Sequence, residues 1–163
     1  MLKKLLVAAC LVLSSTAAFA DDDGVYVGFD IGITRSDNFL DNYASMGVFA
    51  GYKLNSQLSF EIAHRRLLSF NFFGIAVDMK QTSLSGLGSI NVAKDFDLYG
   101  RLGYNKLSAT QSYWGRQGSA SDSGILVGLG AAYHFNKNFS ARLEVQKPNS
   151  DARNVAASML FKF

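Results

Sequence analysis

Period-2 alternation of apolar and polar residues predicts an all-β fold. The fold class is an eight-stranded antiparallel up-and-down transmembrane β-barrel, preceded by a cleaved signal peptide. Apolar residues alternate with small or polar ones over about ten residues at a time, turn-forming residues separate these stretches, and short connections alternate with long ones. We expect one domain over residues 21–163, because a chain of 163 residues leaves no room for a second.

The first twenty residues predict a secretory signal peptide. A pair of lysines precedes an apolar run over residues 5–13, and an A-x-A site ends at Ala20. The run is too short to cross a membrane as a helix. Cleavage after Ala20 removes the sole cysteine, Cys10, and lowers the formal charge from +3 to +1, so neither a disulfide nor a nucleic-acid partner is expected. The alternative is a lipoprotein, because residues 7–10 are similar to a lipidation box that ends at Cys10.

The first three strands have the clearest alternation. The apolar face of the first consists of Val25, Val27, Phe29, Ile31 and Ile33. That of the second consists of Met46, Val48, Ala50, Tyr52 and Leu54. That of the third consists of Leu58, Phe60 and Ile62. Only Asn55-Ser56-Gln57 separates the second strand from the third, so we expect these two to form a hairpin.

The fourth strand, from about Met79 to Val92, has the weakest pattern. We place on its outward face Leu84, Gly86, Gly88 and Ile90, and on its inward face Ser83, Ser85, Leu87 and Ser89. A β-bulge would shift its upper part by one residue. The fifth strand is clearer, with an outward face of Leu98, Leu102 and Tyr104.

A polar stretch from Ser108 to Gly124 predicts a long loop before the last three strands. The outward face of the sixth strand consists of Ile125, Val127, Leu129, Ala131, Tyr133 and Phe135. That of the seventh consists of Phe139, Ala141, Leu143 and Val145. That of the eighth consists of Val155, Ala157, Met159, Phe161 and Phe163.

The face opposite the apolar one decides which side meets lipid. It is rich in glycine and carries Asp30, Lys53, Glu61, Arg65, Arg101, Arg142, Glu144 and Lys162. A soluble barrel would place the large apolar residues inside. Eight strands enclose a space only just wide enough for side chains, so the large apolar residues would overfill the lumen. The sequence therefore favours a barrel whose apolar face meets lipid.

The connections predict an orientation in the membrane. Those near 36–43, 66–77, 107–123 and 147–153 are predicted to be long, and those near 55–57, 93–96 and 136–138 short. Bacterial outer-membrane barrels have long extracellular loops and short periplasmic turns. Aromatic residues beside the short turns match an interfacial girdle, namely Tyr52, Phe60, Tyr133, Phe135, Phe139, Phe161 and Phe163. We expect an integral outer-membrane protein with extracellular loops and both termini in the periplasm.

Four stretches carry a family resemblance: "GYKLNSQLSFEIAH", "KDFDLYGRLGYN", "GLGAAYHFNKNFSARLEVQK" and "MLFKF". The chain resembles the small eight-stranded outer-membrane barrels of Gram-negative bacteria, the OmpA-like transmembrane domain or outer membrane protein β-barrel domain group. The resemblance implies that the barrel-assembly machinery recognises the terminal pattern Val155, Met159, Phe161 and Phe163. Larger members add a peptidoglycan-binding domain, which is not expected here because the sequence ends at Phe163.

The resemblance also implies ion pairs in the lumen, one of which is a gate in this family. The matching positions are Glu61 and Arg142, whereas the gate's alternative partners correspond to Leu87 and Ala132, so gating is not expected. We interpret the lumen charges as a structural network rather than an ion path, and its predicted members are Glu61, Arg101, Arg142, Glu144, Lys53 and Lys162.

Two surface sites are also predicted. Tyr113, Trp114 and Arg116 form a loop tip suited to contact another molecule, or alternatively to fold onto the barrel rim. Basic residues at the loop end of the strands are candidates to face lipopolysaccharide phosphates, or alternatively to be solvated charges, namely Arg65, Arg66, Lys147 and Arg153.

Catalysis and cofactors are not expected. His64 has no acid or serine at a compelling spacing, and His134 is predicted near a periplasmic turn, away from the lipid A leaflet. We find no metal or phosphate-binding motif. The expected function is structural support of the envelope together with surface interaction through the loops, by a monomer in outer-membrane lipid and lipopolysaccharide. The alternatives are a narrow porin-like channel and, third, a lipid A-modifying enzyme.

Overall fold

The computed structural model describes residues 24–36, 42–72, 75–113, 116–149 and 152–163. The predicted signal peptide, residues 1–20, and Trp114 lie outside these ranges. In the part of the chain that is described, no helix is long and apolar enough to cross a membrane.

Eight antiparallel strands close into a barrel in which each strand pairs with its neighbours in the sequence. They are β1 (Gly24–Ser36), β2 (Asn42–Lys53), β3 (Leu58–Phe72), β4 (Ile75–Ala93), β5 (Phe96–Tyr113), β6 (Arg116–His134), β7 (Phe139–Asn149) and β8 (Ala152–Lys162). Strand β1 also pairs with β8, from Tyr26 opposite Lys162 to Ser36 opposite Ala152. This pairing leaves no open sheet edge, as a membrane-spanning sheet requires.

The predicted assignment of the two faces is confirmed on every strand. Large apolar side chains point outward, for example Leu102 (65% exposed), Ile125 (69%) and Leu129 (74%). Charged side chains point into the lumen, where Asp30 is 1% exposed and Glu61 2%. A soluble protein distributes these residues the other way round, so the barrel has the outer surface of a protein solvated by lipid.

The predicted faces of the fourth strand are also confirmed, but the bulge lies elsewhere. The register between β3 and β4 shifts at Leu67, which is the extra residue between Arg66 and Leu68 on β3. Leu67 is completely buried. A second shift lies at the other end of β4, between Asn91 and Ala93.

The prediction of long loops over 66–77, 107–123 and 147–153 is wrong. The described residues of these segments continue the strands, so that β3 runs to Phe72, β5 to Tyr113 and β7 to Asn149. The polar composition from Ser108 to Gly124 predicted a loop, but cross-strand pairing keeps the described residues of that stretch in the sheet. Tyr113 and Arg116, predicted at a loop tip, are the last pair between β5 and β6.

The predicted short turns are confirmed, and two of them have the same local structure. The Asn55 Oδ1 atom accepts hydrogen bonds from the backbone N–H of Gln57 and of Leu58, both at 2.9 Å. The Asn136 Oδ1 atom accepts from Asn138 N at 2.9 Å and from Phe139 N at 2.8 Å. An asparagine at the start of each turn therefore satisfies the backbone donors that the sheet does not use. We call the end with these turns the short-turn end of the barrel. The opposite end, where β3 ends at Phe72 and β5 ends at Tyr113, is called the hairpin end.

Candidate functional site

Two arginines and two glutamates meet in the middle of the lumen and form what we call the central cluster: Glu61, Arg101, Arg142 and Glu144. Arg101 donates from Nε to Glu144 Oε1 (2.7 Å) and from Nη2 to Glu144 Oε2 (3.0 Å). Its Nη2 lies 2.6 Å from Glu61 Oε1, and its Nη1 donates to Ser85 Oγ at 2.7 Å. Arg142 Nη1 donates to Glu61 Oε2 at 2.9 Å. The four charges sum to zero, which is the condition for keeping them away from water.

Aromatic side chains surround the central cluster. Tyr26 donates from its hydroxyl to Glu61 Oε2 (3.2 Å), and Tyr99 donates to Glu144 Oε2 (2.9 Å). The guanidinium carbon of Arg142 lies 5.0 Å from the ring centroid of Tyr26 and 5.4 Å from that of Tyr99. These contacts occupy acceptor positions on both carboxylates and hold Arg142 between two aromatic faces.

A second ion pair lies closer to the hairpin end. Arg65 donates from Nε to Asp30 Oδ1 (2.7 Å) and from Nη2 to Asp30 Oδ2 (2.9 Å). Arg65 is 6% exposed. The prediction that Arg65 faces lipopolysaccharide is therefore wrong, because the alternation of β3 turns its side chain inward and the carboxylate of Asp30 holds it there.

Near this second pair the lumen is crossed by buried polar and apolar side chains. Asn154, which is fully buried, donates from Nδ2 to Thr34 Oγ1 (2.9 Å) and to Ser45 Oγ (2.7 Å). Asn105 donates from Nδ2 to the carbonyl oxygen of Pro148 at 2.7 Å. The other side chains of this layer that are at most 1% exposed are Leu67, Gln81 and Leu126. This layer and the central cluster place buried side chains across the lumen.

At the short-turn end the lumen opens into a cavity of about 720 Å³. We call it the vestibule, and its charged lining consists of Lys53, Lys94, Asp95, Asp97, His134, Lys137, Arg142 and Lys162. Lys53 and Lys162, predicted as members of the lumen network, thus line the vestibule. Arg142 belongs to both the vestibule and the central cluster, so it forms the charged floor of the cavity.

The structure brings His134 together with an acid and a serine, which the sequence analysis did not foresee. His134 Nε2 lies 3.0 Å from Asp97 Oδ2, and His134 Nδ1 lies 2.7 Å from Ser140 Oγ. His134 and Ser140 are cross-strand partners in the β6–β7 hairpin. The register of this hairpin is the signal from which the sequence could have predicted their contact. Ser140 is only 5% exposed, and the three side chains connect β5, β6 and β7 at the rim of the vestibule. We therefore interpret them as a structural link.

The other histidine lies on the outer surface. His64 Nδ1 is 3.0 Å from Thr82 Oγ1, across the β3–β4 pair. No group of three potential ligands that could hold a metal ion occurs among the described residues.

The remaining predicted lipopolysaccharide-facing residues point outward at the hairpin end. Arg66 Nε lies 3.5 Å from Asp78 Oδ1, and Lys80 Nζ lies 3.3 Å from Asp78 Oδ2. The side chains of Arg66 and Lys80 are half-exposed. Lys147 and Arg153 are exposed on β7 and β8. The basic residues that the structure places together on this outer rim are Arg35, Arg66, Lys80, Lys106, Lys147 and Arg153.

Of the predicted assembly signal, Met159 and Phe161 lie on the outward face of β8 toward the short-turn end, and Phe163 directly follows the strand. The Phe161 ring centroid is 4.9 Å from that of Phe139 and 5.0 Å from that of Phe163, in edge-to-face arrangements. Met159 pairs with Ala141 on β7 and with Phe29 on β1. These aromatic contacts belong to the predicted interfacial girdle.

Comparison with known proteins places this geometry in a family. A family model described as "Outer membrane protein beta-barrel domain" matches residues 6–160. The chain is 35% identical over 123 residues (68% of the chain) to outer membrane protein A of Yersinia pseudotuberculosis. It is 31% identical over 149 residues (83% of the chain) to outer membrane protein A of Serratia marcescens. It spans 35% and 41% of the lengths of these two curated relatives.

Solved structures of other outer-membrane barrels are similar in fold. Neisserial surface protein A superimposes with a TM-score of 0.70 at 16% identity, covering 86% of this chain and 97% of that one. Ail, the attachment invasion locus protein of Yersinia pestis, gives 0.63 at 17% identity, covering 87% and 98%. The N-terminal barrel domain of Pseudomonas aeruginosa OprF gives 0.63 at 18% identity, covering 85% and 97%. At these identities the likeness concerns the fold.

Proposed function

Because the chain belongs to the outer membrane protein β-barrel domain family, we propose that it supports the bacterial envelope and interacts with the cell's surroundings through its hairpins. It is an outer-membrane β-barrel protein of the OmpA type. The observation that carries the structural role is the central cluster, which occupies the lumen with four mutually neutralised charges. A lumen held closed by such bonds makes a rigid plugged cylinder rather than a pore.

The proposed role has two parts that one experiment separates. A strain lacking the gene should become sensitive to detergent and to bulky antibiotics, and the wild-type chain should restore resistance. A variant in which residues 113–116 are replaced by Gly and Ser should restore resistance equally well, but it should lose surface adhesion or ligand capture. If the deletion strain is as resistant as the parent, the structural part of the proposal is wrong.

The orientation is part of the proposal. We place the short-turn end in the periplasm and the hairpin end outside, as is usual for this class of barrel. Cysteine scanning tests it, with Ser119→Cys at the hairpin end and Ser56→Cys in a short turn, both at exposed positions. A membrane-impermeant maleimide applied to intact cells should label the first variant and not the second. The reverse pattern would overturn the orientation.

Lipopolysaccharide is the proposed lipid partner of the outer rim at the hairpin end. The ammonium and guanidinium groups of Arg66, Lys147 and Arg153 point outward there, where lipid A phosphates would lie in this orientation. Replacing these three by Gln should reduce lipopolysaccharide retained on the purified barrel, whereas Lys53→Gln in the vestibule should not. If both variants retain the same amount of lipopolysaccharide, the basic residues of the rim are solvated charges and not a binding site.

A narrow channel is the second candidate, because polar side chains line the lumen from the vestibule to the central cluster. Single-channel recording in planar bilayers decides between the two functions. The plugged barrel should show no steady openings, in the wild type or in the outer-rim control Arg66→Ala. Steady wild-type openings that Arg142→Ala abolishes would favour the channel.

We also propose that the barrel has no catalytic function and that mature residues 21–163 follow a removed signal peptide. Acyl-chain analysis of lipid A should give the same result with and without the protein. Amino-terminal sequencing of the outer-membrane form should begin at Asp21. A start at Cys10 with attached lipid would instead indicate the lipoprotein alternative.

A further inference from the structure

Beyond the closed part of the barrel, strand β6 has an open edge at the hairpin end. It pairs with β5 as far as Arg116 opposite Tyr113, whereas its pairing with β7 stops where Val127 lies opposite Lys147. Within the described ranges, residues 116–126 of β6 therefore have a neighbouring strand on one side only. The edge of an unpaired strand presents backbone donors and acceptors with which another chain can pair.

Strand β7 leaves β6 at Pro148, the single proline of the chain. Pro148 is fully buried, and its carbonyl oxygen accepts a hydrogen bond of 2.7 Å from the inward side chain of Asn105 on β5. The register between β7 and β8 shifts at the same place, between Gln146 and Asn149. These contacts hold residue 148 over the lumen rather than beside β6, so the open edge follows from the packing of β7.

The backbone groups on this edge belong to alternate residues. His134 donates its backbone N–H to the carbonyl oxygen of Asp95 at 2.9 Å, on the β5 side. The next residue, Phe135, donates instead to the carbonyl oxygen of Phe139 at 3.0 Å, on the β7 side. Because the β5–β6 register has no shift, the odd-numbered residues of β6 keep facing the β7 side up to the hairpin tip. In the polar part of the strand these residues are Ser119, Ser121 and Ser123.

The hydrogen bonds of β6 agree with this orientation. Ser123 donates its backbone N–H to Asp122 Oδ1 at 2.9 Å, so no strand uses this donor. Among the described residues, the backbone N–H groups of Ser119 and Ser121 have no partner on the open side. Lysine and proline commonly protect the edges of native sheets, but residues 117–124 contain neither, and Asp122 is their sole charge.

We infer that this open edge binds an extended segment of another protein by adding it to the sheet as a strand antiparallel to β6. The inference rests on the proposed surface role of the hairpins, and it names the kind of partner and the way it is held. The added strand pairs with the backbone of Ser119 and Ser121, so its affinity comes mainly from main-chain hydrogen bonds. The residues beside them, Gly118 and Ala120, are small and leave room for the side chains of the partner.

Charge and geometry indicate what this segment is. Lys106 lies opposite Ser123 on the outward face, and the small serine allows the ammonium group to reach an acidic side chain on the added strand. A second copy in the same membrane does not fit this edge. The half-turn about the membrane normal that brings two open edges together also crosses these tilted strands, so they cannot run side by side. The occupant is therefore a proline-free segment of a different protein, with an acidic residue among β-forming ones.

Fluorescence anisotropy with a labelled synthetic peptide tests the inference on the folded barrel in a non-ionic detergent. The peptide alternates Thr and Val over about nine residues and has one central Glu, because this length is within the usual range of strands. We expect saturable binding, and Ser119→Pro with Ser121→Pro should weaken it at least about tenfold, because proline removes the open N–H groups and leaves the ladder with β5 intact. The matched control, Ser119→Ala with Ser121→Ala, keeps both N–H groups and should stay within about twofold of the wild type.

Two further measurements keep the test decisive. If the double proline variant loses the heat-modifiable mobility of the folded barrel, Ser119→Pro alone, nearer the hairpin tip, should still weaken binding at least about threefold. Amide hydrogen exchange followed by NMR should be fast at Ser119 and Ser121 in the free wild-type barrel and slow with the peptide bound. Slow exchange without the peptide, absence of wild-type binding, an equal loss in the alanine control, or a dimer that the proline pair abolishes would each overturn the inference.

Adhesion of whole cells separates this inference from the proposed function on which it rests. We expect the double proline variant and the variant replaced at residues 113–116 both to lose adhesion. If the proline variant adheres as the wild type does and the other variant does not, the surface role stands and strand addition is wrong. If neither variant reduces adhesion, the surface role itself is wrong.

Discussion

Arg101 on β5 holds Glu144 on β7 with two hydrogen bonds that pass over the intervening strand β6. The distances are 2.7 Å from Nε to Oε1 and 3.0 Å from Nη2 to Oε2. The β6 residue between them is Gly128, which pairs with Arg101 on one side and with Gln146 on the other. A Cβ at Gly128 would lie 2.8 Å from Glu144 Oε1 and 3.4 Å from Arg101 Cβ. A side chain at this position would therefore have to displace the Glu144 carboxylate.

Gly128→Ala should therefore destabilise the barrel. The added methyl group must displace a carboxylate that two hydrogen bonds hold, and overpacking of this kind costs about 1–3 kcal/mol. The free energy of unfolding in urea, followed by circular dichroism in micelles, measures the effect. The matched control is Gly88→Ala, because a Cβ at Gly88 meets no atom within 4 Å. Equal stability of the two variants would contradict the proposed role of Gly128.

Replacing Arg101 with Met should have a larger effect. The substitution removes the cation shared by Glu61 and Glu144 and leaves buried carboxylates with fewer partners, which costs about 3–5 kcal/mol. The same urea titration measures it. Adding Glu144→Gln should recover part of the loss, because it removes one of the uncompensated charges.

The control for Arg101 is Arg66→Met on the outer surface. Arg66 pairs with Asp78 at 3.5 Å in a half-exposed position, so this substitution should cost less than about 1 kcal/mol. If both arginine variants lose the same free energy, burial of the central cluster is not what makes it important.

Asn154→Ala tests the polar layer near the second ion pair. The amide donates to both Thr34 and Ser45 from a completely buried position, so its loss leaves two hydroxyls without this donor and should cost about 1–3 kcal/mol. Ser123→Ala is the control, because Ser123 accepts from the Tyr104 hydroxyl at an exposed site and should cost less than about 0.5 kcal/mol. A smaller loss for Asn154 than for Ser123 would exclude a stabilising role for this layer.

Deleting residues 161–163 should prevent assembly in the outer membrane. The deletion removes the Phe161 and Phe163 rings and the bonds from Lys162 N to Asn138 O (2.7 Å) and from Phe163 N to Val25 O (3.0 Å). We expect the chain in the periplasm, degraded or unfolded, as measured by cell fractionation and heat-modifiable mobility on gels. Phe135→Ala serves as the control, because it removes one exposed girdle aromatic and should still insert. A truncated chain that inserts as well as this control would show that these residues are not an assembly signal.

The sequence alone determined the strands and their faces. Side chains alternate with a period of two, so Phe29 and Ile31 on one side of β1 predict Asp30 on the other, and only a lipid solvent accommodates so apolar an exterior around so polar an interior. The same alternation put Glu61, Arg101, Arg142 and Glu144 in one lumen. It also turned Arg65 inward. The prediction that Arg65 faces lipopolysaccharide was wrong because it considered the charge of the residue and not its position in the alternation of the strand.

Only the tertiary structure decided which charges pair and where the sheet ends. Two inward residues on different strands meet only if the stagger of the closed barrel brings them to one level, and alternation within a strand carries no information about that stagger. Arg101 therefore finds both Glu144 and Glu61, and His134 finds Asp97, through registers fixed by closure. Polar composition likewise predicted that residues 107–123 leave the lipid, whereas the cross-strand hydrogen bonds of β5 and β6 decided that the described residues of this stretch stay in the sheet.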